Sequence, residues 1–363
     1  MKPERAPIRV LVVDDSLTVR QHLASVLASD PDIVVVGQAG DGKTAIELCQ
    51  KLGPDVITLD MVLPVMTGLA VTEYVMAYCP TPILVVSASV NRGALFDTYD
   101  ALAAGAFDVL DKPSGSEPPE SWNRRFLDAV KTAARIRVIT HPRARLGRYG
   151  RAPSVAGAGS WPALERKFRL VAIGASTGGP GAILTVLSGL PPSFTVPIVV
   201  LLHMAEPFAR SFADWLGGLV PFPVRFAEDD EPVPEPGSAV VLVAPPGRHL
   251  TVRANRLRLS DEAERHSCRP SIDVLFESLA RECGDRTLAC LLTGMGRDGA
   301  QGLLELRRAG AYTIAQDEAT SVIFGMPAEA IRLGAARDVL PIDRVAPTIV
   351  DAVGRTPREE SRS

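Results

Sequence analysis

Three carboxylates stand just beyond short apolar runs: Asp14 and Asp15 after Ile8–Val13, and Asp60 after Val56–Leu59. Carboxylates drawn together repel one another, so such a cluster calls for a hard divalent cation with oxygen ligands, most simply Mg²⁺. Ser87 ends another apolar run, and Lys112 follows a further one, just before Pro113. A hydroxyl and an ammonium beside a metal and a carboxylate make a site for phosphoryl chemistry. Asp60 would be the nucleophile, with the metal and Lys112 neutralising the phosphoryl oxygens. Any one of these aspartates could be a plain helix or turn cap. Five suitable residues at the ends of four such runs point to a site instead.

A second group lies further along the chain. Leu170 to Gly181 reads as a strand, a glycine-rich turn and a helix start, and Gly174-Ala-Ser176-Thr-Gly178 fits G-x-S-x-G. Small neighbours there let the backbone turn sharply and expose a nucleophilic hydroxyl, while the helix N-terminus offers free N–H groups to an oxyanion. The same glycines could cradle a dinucleotide phosphate, but the spacing G-x-G-x-x-G is absent and no acidic residue stands out after the next strand. A serine nucleophile needs a base and a group to orient it. Of five histidines, His22 falls in an early helix, His141 in a polar stretch, His249 in a hairpin and His266 in a polar loop. His203 closes the apolar run Ile198–Leu202, so a sheet would bring it to the edge that carries Ser176. Asp298, in Thr293-Gly-Met-Gly-Arg-Asp-Gly299, is the candidate orienter and could equally cap the helix predicted over Ala300–Arg308. The order Ser176, His203, Asp298 is not that of the α/β-hydrolases, which favours a separate doubly wound arrangement.

These residues need strands to carry them. Strands are predicted over Ile8–Val13, Ile33–Val36, Val56–Leu59, Ile83–Val86 and Phe107–Leu110, with helices such as Leu17–Ala28 and Thr44–Lys51 between them. A second alternating series has strands at Leu170–Ile173, Ile198–Leu202, Val240–Val243, Leu288–Leu292 and Tyr312–Ala315. Its helices are Gly181–Leu187, Phe208–Leu219, Ile272–Arg281 and Ala300–Arg308, with a hairpin near Val240–Leu259. Strands alternating with helices mean parallel sheets covered on both faces, with chemistry at the carboxyl ends of the strands. The fold expected is therefore α/β, with two doubly wound domains at 8–140 and 169–351. A flexible linker at 141–168 joins them, and a charged tail occupies 352–363.

Composition sets the outer bounds. A chain of 363 residues with 46% hydrophobic and 22% charged content fits two ordinary globular domains. Net charge of −3 argues against a protein whose task is gripping nucleic acid, and the basic stretch from His141 reads as a solvated linker. No apolar run reaches the ~18 residues of a membrane span, and the N-terminus does not read as a signal peptide. Cys49, Cys79, Cys268, Cys283 and Cys290 are scattered, show no metal-ligand spacing and read as buried thiols of a reducing cytosol.

Residues 8–140 resemble a response-regulator receiver domain through Val13-Asp14-Asp15-Ser16, Leu59-Asp60-Met61, Pro64-Val-Met-Thr-Gly68, Ser87-Ala88 and Lys112-Pro113. The resemblance implies Asp60 as phosphoacceptor, Asp14 and Asp15 beside it at Mg²⁺, Ser87 as switch hydroxyl and Lys112 at the phosphate. Thr67 replaces the usual Asp, and Val109 stands where an aromatic switch residue often sits. Residues 169–350 resemble the catalytic domain of chemotaxis protein-glutamate methylesterases. The segments that carry this are Ile173–Pro180, His203-Met204, Arg269–Phe276, Thr293–Gly299 and Gln316–Pro327. Leu201-Leu202 departs from the family, in which a Gln often precedes the His. The resemblance implies a cytoplasmic enzyme that hydrolyses glutamyl methyl esters and deamidates glutamines on the cytoplasmic domains of chemoreceptors, with a chemotaxis histidine kinase as phosphodonor. Ser176, His203 and Asp298 would form the triad, backbone N–H groups at Thr177 and Met295 would bind the oxyanion, and the esterase would need no cofactor.

Overall fold

The computed structural model describes residues 6–88, 92–113, 118–136, 168–204, 206–237 and 239–354. The chain divides into two compact units, Met1–Gly150 and Arg151–Ser363. The expected linker lies outside the described residues except for Phe168, as does the expected tail beyond residue 354.

In the first unit, β1 (Ile8–Val13), β2 (Ile33–Ala39), β3 (Val56–Leu59), β4 (Ile83–Ser87) and β5 (Asp108–Asp111) form a parallel sheet in the order β2-β1-β3-β4-β5. The helices between them are α1 (Leu17–Ala28), α2 (Gly42–Leu52), α3 (Gly68–Tyr78) and α4 (Arg92–Ala103), with α5 (Pro119–Ala133) following β5. Strands β3 and β4 are buried along their whole length, as a sheet covered on both faces requires. Caps fix where the helices start: Ser16 accepts from Val19 N, and Asp41 from Thr44 N. The order reverses between β1 and β3, which opens a crevice at their carboxyl ends. Strand β5 starts one residue later than the hydrophobic pattern predicts, because Phe107 turns into the core while Asp111 joins the ladder opposite Ser87.

In the second unit, β6 (Leu170–Ala175), α6 (Gly179–Ser188), β7 (Ile198–Leu202), α7 (Glu206–Gly217), β8 (Val224–Phe226) and β9 (Val241–Val243) come first. They are followed by β10 (His249–Arg253), β11 (Arg256–Ser260), α8 (Ile272–Glu282), β12 (Thr287–Leu291), α9 (Ala300–Arg308), β13 (Tyr312–Gln316), α10 (Met326–Arg332), β14 (Asp338–Leu340) and α11 (Ile342–Gly354). Seven of these strands form a parallel sheet in the order β14-β13-β12-β6-β7-β9-β8, so the first strand is central and its crossovers run to both sides. The hairpin expected near Val240–Leu259 is present, in its C-terminal part. Val241–Val243 belongs to the large sheet, and the hairpin is β10–β11, turned at Ala254 and Asn255, both at positive φ.

Helix α8 lies between the β10–β11 hairpin and this sheet. Its Leu275, Phe276 and Leu279 are fully buried there, each contributing about 2 kcal/mol. That packing fixes the N-terminus of α8 at the carboxyl edge of the sheet. The thiols also depart from expectation: Cys49, Cys283 and Cys290 are buried, but Cys79 and Cys268 are only half-buried, and all five are free. Chain turns, rather than apolar strands, carry those two.

Candidate functional site

The first unit brings Asp14, Asp60 and Lys112 into one pocket at the crevice between β1 and β3. Lys112 Nζ lies 2.7 Å from Asp60 Oδ2 and 2.8 Å from Asp14 Oδ2. Both carboxylates are almost completely buried, whereas Asp15 is exposed. Strand β5 sets the lysine in place, since Lys112 N donates to Ser87 O and the buried Trp122 donates its indole N–H to Asp111 O at 2.8 Å. Ser87 is buried at the end of β4, beside this pair. Helix α3 closes the pocket from below: a Cβ on Gly68 would fall 2.4 Å from the Asp60 carbonyl oxygen, so only glycine fits. Thr67 caps that helix by accepting from Ala70 N. Val109 is a half-buried residue of β5.

Burial pushes the Asp60 carboxyl up, Lys112 opposes that, and Asp14 adds to it, with a net rise. Burial alone would lower Lys112, yet its two carboxylate partners hold its ammonium above the ordinary value. Oxygen donors of Asp14, Asp15 and Asp60 lie within 4.8 Å of one another. An all-oxygen set of three carboxylates, faced by a single ammonium, fits a small hard cation such as Mg²⁺.

In the second unit, three strand ends converge. Register pairs Ala175 of β6 with Leu202 of β7, so Ser176 and His203 each stand one step past the last paired residues, and His203 N donates to Ala175 O. On the other side Ser176 N donates to Thr293 O beyond β12. Gly294 presses against the serine, for a Cβ there would lie 2.8 Å from Ser176 Cβ. The loop after β12 is clamped from outside. Gln316 Oε1 accepts from Thr293 N at 2.8 Å, Thr293 Oγ1 donates to Thr177 O at 3.0 Å, and Met326 N donates to Gly294 O at 2.9 Å. Thr177 is half-buried at the head of this turn, and Met295 is 60% exposed at the loop tip.

His203 Nε2 is 3.0 Å from Asp298 Oδ2, although its N–H does not meet that oxygen in good hydrogen-bond alignment. Burial works against a charged imidazole, but Asp298, with the Cys268 sulfur on the other side, outweighs it and raises His203 to about 9. Asp298 does cap a helix, but not the one next to it in sequence. It accepts from Ser271 Oγ at 2.7 Å, Ile272 N at 2.7 Å and Asp273 N at 3.1 Å, all at the start of α8. Helix α9 instead starts behind Gly299 with no side-chain cap. Burial would raise the Asp298 carboxyl, but His203, Ser271 and the α8 amides together hold it below the usual range.

The other histidines separate cleanly. His249 is buried, with Nδ1 accepting from Ser271 N and Nε2 donating to Ala263 O, which leaves no free lone pair for a base. His266 is exposed at a tight turn and faces Asp273 Oδ2 at 3.1 Å. His22 packs its ring on Trp122, and His141 lies outside the described residues. Hydrophobic periodicity gave no sign of Ser271, Gln316 or Cys268, whose Sγ stands 3.8 Å from His203 Nδ1. Among the described residues no helix is long and apolar enough to cross a membrane.

Comparison with known proteins agrees with this architecture. The CheB methylesterase family matches residues 171–349, and the response regulator receiver domain matches residues 10–118. A protein-glutamate methylesterase/protein-glutamine glutaminase of Nitrosospira multiformis is 42% identical over 352 residues, covering 95% of this chain and 97% of that protein. One from Anaeromyxobacter dehalogenans is 44% identical over 362 residues, covering 95% and 96%. The crystallised catalytic domain of Thermotoga maritima CheB methylesterase is 35% identical, spans 51% of this chain and 99% of that one, and has a TM-score of 0.48.

Proposed function

Since this chain belongs to the CheB methylesterase family and joins a receiver domain to a protein-glutamate methylesterase/glutaminase, we propose that it demethylates glutamyl methyl esters on chemoreceptors under the control of phosphorylation at Asp60. The observation that carries this reading is the contact of His203 with Asp298, 3.0 Å apart, on the sheet edge that also ends in Ser176.

Ser176 Oγ attacks the ester carbonyl carbon, and His203 accepts the hydroxyl proton. Asp298 sits at Nε2, so the accepting lone pair is on Nδ1. The backbone N–H groups of Thr177 and Met295 hold the oxyanion. His203 then gives its proton to the departing methoxide, and methanol leaves a glutamyl ester on Ser176. Water, deprotonated by the same imidazole, cleaves that ester and restores the serine. A glutamine side chain enters the same route and releases ammonia instead. The acyl transfers need only these side chains and backbone donors.

In the receiver, Asp14, Asp15 and Asp60 would hold Mg²⁺, which supplies charge neutralisation for the phosphoryl oxygens. Asp60 takes the phosphoryl group from a chemotaxis histidine kinase. Lys112 pairs with one of its oxygens, and the Ser87 hydroxyl turns toward another, which shifts the receiver between two states. On this reading the protein works in the cytoplasm on the cytoplasmic domains of chemoreceptors, with a histidine kinase as phosphodonor. The test is methanol release from methylated receptor membranes, with and without a small phosphodonor. Stimulation in the native protein, lost in Asp60→Asn, with no release by Ser176→Ala, is the expected result. Release by Ser176→Ala at the native rate would end the covalent reading.

A further inference from the structure

Cys268 lies beside the esterase site and transfers no proton or acyl group in the reaction. It sits on a tight turn, where Arg265 and Cys268 bond to each other's backbone and His266 and Ser267 both take positive φ. That strained turn lifts the thiol to within 3.8 Å of His203 Nδ1, while Asp298 holds the opposite nitrogen. One donor atom each from His203, Cys268 and Asp298 lies within 4.8 Å of the other two. A second group, His266 and Asp273, brings two more donors within 4.8 Å of Asp298, so two sets of possible ligands share one carboxylate.

Nitrogen, sulfur and carboxylate oxygen together suit a borderline-soft ion and not Mg²⁺ or Ca²⁺. We propose that His203, Cys268 and Asp298 form an inhibitory site for Zn²⁺, separate from the oxygen-only pocket of the receiver. An ion takes only one ring nitrogen, here Nε2, which already lies 3.0 Å from Asp298 Oδ2. Tetrahedral zinc with ordinary bonds sets sulfur and nitrogen about 3.6 Å apart, so the Cys268 thiol, now beside Nδ1, is the donor that swings inward. Drawing in all three donors needs a shift of about 1 Å, within reach of a half-exposed turn. One thiolate and one carboxylate balance the two charges of the ion. Binding expels to solvent the Cys268 thiol proton and, from the imidazolium present at neutral pH, one ring proton of His203, and leaves the fourth coordination position to water. The imidazole lone pair is then committed to the metal, so Ser176 has no base and the esterase stops.

The inhibitory effect rests on His203 as the base, but metal binding does not, and the experiment separates the two. The full-length protein is freed of metal with a chelator, then titrated with Zn²⁺ against a chromogenic ester and, in parallel, with Co²⁺ while its thiolate-to-metal absorption band is followed. Zn²⁺ should abolish turnover, chelator should restore it, and Mg²⁺ at the same concentration should do nothing. Cys268→Ser and Cys268→Ala should lose the Co²⁺ band and, each measured against its own metal-free rate, need about tenfold or more extra Zn²⁺ for the same fractional inhibition. No thiolate band, or equal zinc sensitivity in native and Cys268 variants, overturns the site. A Co²⁺ band that depends on Cys268, with turnover unaffected by either metal, upholds the site and instead overturns His203 as the base.

Discussion

Asp298 Oδ2 stands 3.0 Å from His203 Nε2, and this pairing, with the Cys268 sulfur, raises the imidazole to about 9, so it is mostly protonated at neutral pH. A protonated imidazole accepts nothing from Ser176. Turnover by the chelated enzyme should therefore rise from pH 7 and level off above about 9. Asp298→Asn removes the charge that holds the proton, moving the rising limb to lower pH while cutting the maximal rate by roughly 10²-fold or more. A rate that is flat between neutral and alkaline pH would contradict the pairing. For folding the sign is opposite: the raised histidine stabilises the catalytic unit fully below 6.5, and that contribution fades as pH climbs through about 9.

Ser176→Ala and His203→Ala should each remove nearly all esterase activity, with the double variant hardly slower than either. Additive losses in the double variant, measured with methylated receptor, would mean that the two side chains act in separate steps.

Ser271→Ala probes the support of the site. It deletes the hydroxyl that donates to Asp298 and caps α8 at Val274 N, so it should cost about 1 kcal/mol of stability. It should also lower kcat with KM little changed, because the orienting carboxylate is loosened while the substrate surface is intact. Urea denaturation and steady-state kinetics check both halves, and a native kcat would remove Ser271 from the positioning role.

In the receiver, Asp60→Asn should block labelling by a small phosphodonor yet raise the melting temperature in chelator. Burial makes the ionised Asp60 costly, and its elevated carboxyl means that stability is greatest below the ordinary value near 3.8 and is lost as pH rises through the folded-state value. The asparagine carries no such charge. A lower melting point in the variant would contradict this sign.

Lys112→Ala should do the opposite. Two carboxylates, nearly inaccessible, lose the cation between them, at a cost of about 3 kcal/mol near neutral pH. The deficit should shrink as pH falls and the carboxylates take up protons, and shrink again on adding Mg²⁺. A deficit that does not change with pH would point to lost packing by the lysine stem.

The strand ends that carry Asp14, Asp60, Ser176 and His203 were legible because buried parallel strands are short apolar runs, and the residue after each run must lie at the carboxyl edge. Ser271, Gln316 and Cys268 were not, since each reaches the site from a loop whose course follows from tertiary packing and not from periodicity. Asp298 shows the limit most clearly. A cap is ordinarily read from the residues that follow it, whereas this carboxylate closes a helix 26 positions earlier in the chain, at Ile272. The β10–β11 hairpin was bounded only broadly for a related reason: Val240 to Val243 is apolar enough for either assignment, and the turn at Ala254-Asn255 decides it.

The bonds from Asp298 to the head of α8 also tie reactivity to maturity. A nascent chain holds the nucleophile's strand long before residues 271–298 have closed on it, and until they do the imidazole has no fixed bearing. A copy that is stalled, nicked or half-melted in this region is thus a silent protein and not an unguarded esterase loose among other carboxyl esters of the cell. The bonds between Asp298 and the head of α8 are what give the imidazole its bearing.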